Sequence, residues 1–426
     1  MADLAVLKEN RLVGRILDLA EGPMFLYSEE WLLSADAEAL SPRLPLRLEP
    51  FPEKDCRAFF ENLLSEGSSR DILEKVFHIS GMTTVLRRFG RDLAGEYSVE
   101  EVPDPQSDPP SYVLLPEARL RTLLKEGIQT VVEHYPGYRI SLPGVQQKLV
   151  CFKRASGTAL FIPINGAPST HILKPDIFGV RSVTRSALNE AFIMTLARTA
   201  GLTVADVEYR PELSSVLVTR FDRETSGEKV FKIPQIDTCQ ILGIPPDKKY
   251  ESDGGPSLAD ILNVVREYAE RPAVATLSIV RGYIFSALCG NMDHHAKNIS
   301  LFWKKGRLSP APLYDLVNTF VYEKTDRNLA FKVGGERRPG VLSKVHWDRF
   351  ATEIGFRKDH LSRIVLGFAA QVESTIEETR RIDAFQNISP QEKVFLERIS
   401  RDIVSRARKW TKQIERAREG GESSRQ

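Results

Sequence analysis

The stretch CGNMDHHAKNISLF, residues 289–302, closes an apolar run and then gathers Asn291, Asp293, two histidines, Lys297 and Asn298 before turning apolar again. Two chemistries compete for it. The pair His294–His295 suits a transition metal such as Mn²⁺ or Zn²⁺. Asp293 and Asn298 suit phosphoryl transfer instead. That reaction asks the protein for a carboxylate to receive a hydroxyl proton and for oxygen ligands to hold Mg²⁺.

Working outward, the segment after Asn298 reads as a hairpin, NISLFWKKGRLSPAPLYDL, turning at Lys304–Gly306 with Asp315 just beyond it. The interval from Asp293 to Asn298 equals that in the kinase catalytic loop H-R-D-x-x-x-x-N, and there too a hairpin precedes a metal-binding aspartate. Taken singly, Asp293 and Asn298 also read as a polar loop at a helix end, and Asp315 as a solvated hairpin exit. The ordered trio is the more specific signal. A kinase further needs a strand lysine and a helix glutamate. Lys174 in THILKPD and Glu190 in the helical SALNEAFIMTLARTAGL stand in that order. They equally suit an edge-strand lysine and a solvated glutamate. RISLPGVQQKLV, residues 139–150, offers a turn whose backbone amides can cradle phosphate, with Lys148 adding charge. With Gly144 as its one glycine, a plain hairpin turn fits as well. KYESDGGPS, residues 249–257, reads as a substrate-side loop or as a connector.

The metal alternative is a DHH-like phosphoesterase. It would need further Asp and His ligands upstream on a parallel sheet. No D-x-D precedes residue 289, and His78, His134 and His171 lie in unrelated contexts.

The chain has 426 residues, 42% hydrophobic and 27% charged, ordinary for a soluble globular protein with room for two or three domains. Lys and Arg number 59 against 57 Asp and Glu, a net charge of +2 that gives no global nucleic-acid footprint. Cys56, Cys151, Cys239 and Cys289 form no CxxC pair, which fits a reducing compartment. No long uncharged apolar segment and no leader-like h-region are visible, so a cytoplasmic protein is expected.

Residues 1–102 read as a small α+β unit. LAVLKENRLVGRILDL forms two strands about a turn at Glu9 and Asn10. The proline-rich EVPDPQSDPPSYV reads as a linker. Residues 112–232 look strand-rich with one helix, at Ser186, which Gly201 caps. Residues 233–419 look mainly helical. SPQEKVFLERIS opens with the capping box Ser389 to Glu392, and residues 420–426 read as a disordered tail.

Together ISLPGVQQK, THILKPD, NEAFIMTLARTAGL, VLVTRFDR, YESDGGPS, DHHAKNISLF and LSPAPLYDL resemble, in order, the landmarks of the HipA family, the serine/threonine kinase toxins of type II toxin–antitoxin modules. The resemblance spans nearly the whole chain. It implies an α+β HipA-like kinase fold, with a small N-terminal subdomain and a β-rich N-lobe over a mainly helical C-lobe and ATP between lobes. It implies that Asp293 is the catalytic base and that Asn298 and Asp315 are Mg²⁺ ligands. Lys174 would bind phosphate, supported by Glu190. Pro143, Gly144, Val145, Gln146, Gln147 and Lys148 would form the phosphate loop. Thr219, Arg220 and Phe221 would form the adenine hinge, and His295, Lys297 and Tyr314 would contact nucleotide. Ser141 would be the autophosphorylated serine. The implied partners are a HipB-like helix-turn-helix antitoxin dimer, operator DNA mainly through it, and an aminoacyl-tRNA synthetase substrate, typically the glutamyl one. One departure is D-H-H-A-K-N for the usual D-G-H-x-K-N. It places His294 where glycine would permit a positive φ, and it keeps open a weak or inactive co-repressor.

Overall fold

The computed structural model describes residues 3–101, 109–126, 128–135, 137–138, 148–177, 182–227 and 229–423. It has two compact units. The first comprises Met1–Pro175, Leu217–Asp247 and Ser300–Ala311; the second comprises Asp176–Val216, Lys248–Ile299 and Pro312–Gln426.

The first unit opens with a four-stranded antiparallel sheet in the spatial order Gly22–Tyr27, Arg11–Leu19, Leu4–Lys8, Tyr97–Glu100. Glu9 and Asn10 both sit at positive φ (49° and 68°), as a two-residue turn between right-twisted strands demands, and Lys8 pairs with Arg11 across it. The inner face is aromatic: Phe25 meets Tyr27, Phe51 and Phe60 at ring separations of 4.8, 6.2 and 5.6 Å. Gly14 is required here, because a Cβ would stand 2.3 Å from the Leu26 carbonyl and 2.7 Å from the Phe25 ring.

A second sheet includes, side by side, Ser111–Leu115, Leu160–Ile164, Leu149–Lys153, His171–Pro175 and Ser215–Thr219. Ser111–Leu115 begins inside the stretch read as a linker; the other four fall within the region read as strand-rich. Between the first two in sequence lie two helices that the strand-rich reading missed, Glu117–Glu126 and Ile128–His134. The first buries Leu120, Leu123 and Leu124, an i, i+3, i+4 stripe that turns one face inward. A third sheet joins Gln235–Asp237 to the predicted hairpin, whose strands Ser300–Lys304 and Arg307–Pro310 turn through Lys305 (φ 51°) and Gly306 (φ 69°).

The second unit is built from helices. Ser186–Thr199 is closed by Gly201 in the left-handed conformation, with the Leu202 amide donating back to Ala197. Pro272–Cys289 has the length and mean hydropathy (1.4) of a membrane span, although the sequence reading saw none; two-thirds of it is buried within the unit, which accounts for its apolarity as a core helix. Gly290 ends it at φ 77°. Arg406, from the long helix Pro390–Ser423, donates to the Leu288 carbonyl (2.8 Å), lies 4.7 Å from the Phe320 ring centre and pairs with Asp402 at 2.9 Å. A cation there complements the negative end of the helix dipole. Arg406 is thereby buried, and on the same helix Arg401 and Arg408 pair with Glu397 and Glu373. The C-terminal helix continues through Gly420 and Gly421 to Ser423, past the start of the stretch read as a disordered tail. Glycine weakens a helix by only ~1 kcal/mol per residue, and an established helix propagates.

Candidate active site

In the second unit, the loop between Gly290 and the hairpin brings the sequence candidates together. The Asn291 side chain accepts from the Asp293 amide (3.0 Å), and the Thr319 hydroxyl accepts from the Met292 amide (2.9 Å). Asn298 donates from Nδ2 to the Asp293 carbonyl at 2.8 Å. That bond commits the amide nitrogen, so the end of Asn298 offered as a ligand is oxygen. Asp293 itself is half-exposed, while His295, Lys297 and Asn298 are buried. His295 Nε2 lies 3.9 Å from Asp293 Oδ1.

The strand-like segment after the hairpin is tied to the same loop. Tyr314 donates its hydroxyl to the Lys297 carbonyl at 2.6 Å. Asp315 follows at φ 55°, a left-handed conformation that aspartate tolerates better than most residues and that tends to occur where function fixes a side chain. Farther along, Asn318 exchanges hydrogen bonds with Asn189, the neighbour of Glu190 (2.8 and 2.9 Å), and donates to Asp402 at 2.9 Å. Glu190 is itself buried.

The two histidines diverge. His294 is 1% exposed, its ring 6.2 Å from that of Tyr283, and its Nδ1 has no hydrogen-bond partner. Burial pushes it down to about 4, with the Asp315 carboxylate pulling the other way, so it is neutral at physiological pH. His294 is not among the residues at positive φ, so the loop does not need glycine there. Among the described residues no three His, Cys, Asp or Glu side chains cluster to hold a metal. The hard oxygen donors of Asn298 and Asp315 suit Mg²⁺ presented with phosphates.

One neighbour was missed by the sequence reading. Tyr250 donates its hydroxyl to Asp293 Oδ1, and its ring meets that of His295 edge-on at 4.9 Å. It belongs to KYESDGGPS, whose acids and glycines carry the more obvious turn signals.

In the first unit, Lys174 is buried on His171–Pro175, next in the sheet to the strand that ends at Thr219. The Arg220 amide donates to the Thr170 carbonyl (2.9 Å), and the Phe221 ring lies 6.1 Å from Phe302. The Arg220 guanidinium is not available to a nucleotide. It bonds Asp222 (2.7 and 3.0 Å), Asp92 (3.3 Å), the Ser169 hydroxyl (2.8 Å) and the Leu93 carbonyl (2.8 Å). Arg223 completes a buried four-charge cluster through Asp92 and Asp222 (2.8 and 2.9 Å). An adenine contact from Arg220 is therefore left to its backbone. Pro143, Gly144, Val145, Gln146, Gln147 and Ser141 lie outside the described residues; Lys148 enters the strand Leu149–Lys153.

The HipA-like C-terminal domain model matches residues 140–376 and the HipA N-terminal domain model residues 4–100. The Y4mE protein of Sinorhizobium fredii is 34% identical over 389 residues, covering 88% of this chain and 90% of that one. The serine/threonine-protein kinase toxin HipA of Shewanella oneidensis is 28% identical over 377 residues, 83% of each chain. The structure of a Shewanella oneidensis HipA, HipB and operator DNA complex superposes with a TM-score of 0.82 over 98% of this chain and 99% of that one, at 23% identity, which speaks for the fold alone.

Proposed function

This chain belongs to the HipA family of serine/threonine-protein kinases, and from that premise we propose that it transfers the γ-phosphate of ATP to a protein serine or threonine as the toxin of a type II toxin–antitoxin module. The observation that carries the reading is the joined pair Asp293 and Asn298, with Tyr314 and Asp315 strapped to the same loop through Lys297.

Asp293 takes the acceptor hydroxyl proton. Its half-exposed carboxylate can reach a protein side chain, whereas the buried His294 and His295 cannot. Asn298 and Asp315 hold Mg²⁺, which when bound neutralises charge on the phosphates. His295, Lys297 and Tyr314 contact the nucleotide. In the first unit, Lys174 is the proposed phosphate-binding cation, Thr219 and Phe221 with the Arg220 backbone the proposed hinge, and Pro143 to Lys148 the proposed phosphate loop. Ser141 is the self-inactivating phosphosite, since a phosphate of roughly −1.5 to −2 charges there would compete with ATP for the same amides and lysines.

A HipB-like antitoxin is the expected partner, with operator DNA reached mainly through it. The expected substrate is an aminoacyl-tRNA synthetase, typically the glutamyl enzyme, in the cytoplasm. The weak or inactive co-repressor reading rested on His294 in place of glycine; His294 is not among the residues at positive φ, which favours the active kinase. The test is incubation with γ-labelled ATP and Mg²⁺, then mass mapping of phosphate on the chain. Label at Ser141 is expected, and Ser141→Ala should abolish it while retaining ATP binding. No transfer by the unmodified chain, or phosphodiester hydrolysis without ATP, would overturn the reading.

A further inference from the structure

The segment KYESDGGPS carries more internal restraint than a connector needs. The Lys249 carbonyl accepts from the Ala296 amide at 3.2 Å, fastening it to the loop of Asp293. The Tyr250 carbonyl accepts from the Asp253 and Gly255 amides at 3.1 and 3.0 Å. Gly255 is needed for this fold-back, since a Cβ would stand 2.1 Å from the Lys248 carbonyl and 2.6 Å from that of Tyr250. Glu251 accepts from the Lys332 amide at 2.7 Å and pairs with its ammonium at 3.2 Å. The Tyr250 ring is set edge-on to His295, and its hydroxyl donates to Asp293 Oδ1.

We propose that Tyr250 is the positioning residue of the catalytic base, holding the Asp293 carboxylate aimed through the hydrogen bond it donates to Oδ1. This rests on Asp293 being the base. A donor to a carboxylate restricts its rotation. In the transfer step the acceptor's hydroxyl proton passes to Asp293 as its oxygen bonds to the γ-phosphorus. The bond from that phosphorus to the bridging oxygen breaks, and its electron pair leaves with ADP. The Tyr250 proton stays on Tyr250, so its role is to keep Asp293 in one orientation.

The experiment compares the unmodified chain, Tyr250→Phe, Tyr250→Ala and Asp293→Asn. It measures initial transfer rates from γ-labelled ATP with Mg²⁺ across pH 5–9, together with ATP affinity. Tyr250→Phe keeps the ring against His295 and removes only the hydroxyl. It should lower the rate about tenfold at neutral pH, the size expected for losing a hydrogen bond to a charged group. ATP affinity should stay within twofold, so that the loss falls on kcat and not on KM for ATP. If Tyr250→Phe matches the unmodified chain in rate while Tyr250→Ala is impaired, the residue only packs and the proposal fails. It fails equally if the loss in Tyr250→Phe comes from weakened ATP binding. Full activity in Asp293→Asn would instead remove the base assignment, and this proposal with it.

Discussion

Removing the Asp92 carboxylate should strongly destabilise the first unit. Asp92 is fully buried and accepts from Ser169 through both amide (3.0 Å) and hydroxyl (2.6 Å), from Arg223 (2.8 Å) and from Arg220 (3.3 Å). Asp92→Ala leaves two guanidinium groups, each almost out of water, sharing Asp222 alone. Breaking a buried ion pair from one side costs about 3–5 kcal/mol. For a unit of this size each kcal/mol moves the midpoint by roughly 2–4 °C, so the transition should fall by roughly 6–20 °C. The assay is thermal unfolding of the full chain by calorimetry, resolving the transition of the first unit. A double variant, Asp92→Ala with Arg223→Met, should recover part of the loss, because it also removes one uncompensated charge. A shift under about 2 °C in Asp92→Ala, or a double variant less stable by the full sum of the single changes, would refute the reasoning.

The same cluster sets an acid response. Burial pushes Asp222 up, but Arg220 and Arg223 outweigh it and hold it at about 2. Its folded value lies below the unfolded ~3.9, so its contribution, roughly 2 kcal/mol, is present above about pH 4 and is lost as pH falls towards 2; urea midpoints across that window should drop less steeply in Asp222→Asn than in the unmodified chain. Gly290→Ala puts a Cβ at φ 77° and 2.9 Å from the Phe320 Cβ, and should cost roughly 1–3 kcal/mol in urea unfolding and lower phosphotransfer, since Asp293 follows three residues on. Ser389→Ala removes the hydroxyl that accepts from the Glu392 amide (3.3 Å) and should destabilise the C-terminal helix by about 0.5–2 kcal/mol, read as faster amide exchange in its first turns.

Local chemistry was legible in the sequence. The Glu9–Asn10 and Lys305–Gly306 turns, the Gly201 helix end and the Ser389 cap each follow from a few adjacent residues. The bond from Asn298 to Asp293 likewise joins residues five apart in the sequence. What stayed hidden depends on distant partners. Tyr250 lies 43 positions from Asp293, and Asn189 lies 129 from Asn318, so neither contact leaves a periodic trace. The partners of the Arg220 side chain were hidden for the same reason: Asp92 and Ser169 come from far upstream. The helix Glu117–Glu126 was missed because its leucine stripe follows the proline-rich run and was absorbed into a strand-rich reading.

The most direct measurement is phosphotransfer by Asp293→Asn set beside its affinity for ATP with Mg²⁺. The substitution keeps the size of the side chain and a hydrogen-bonding oxygen for Tyr250, and removes only the basic carboxylate. Transfer of the γ-phosphate should fall about 10²–10⁴-fold while nucleotide binding and unfolding midpoint stay near those of the unmodified chain. Transfer within a few-fold of the unmodified chain, by a folded and nucleotide-binding variant, would contradict the account.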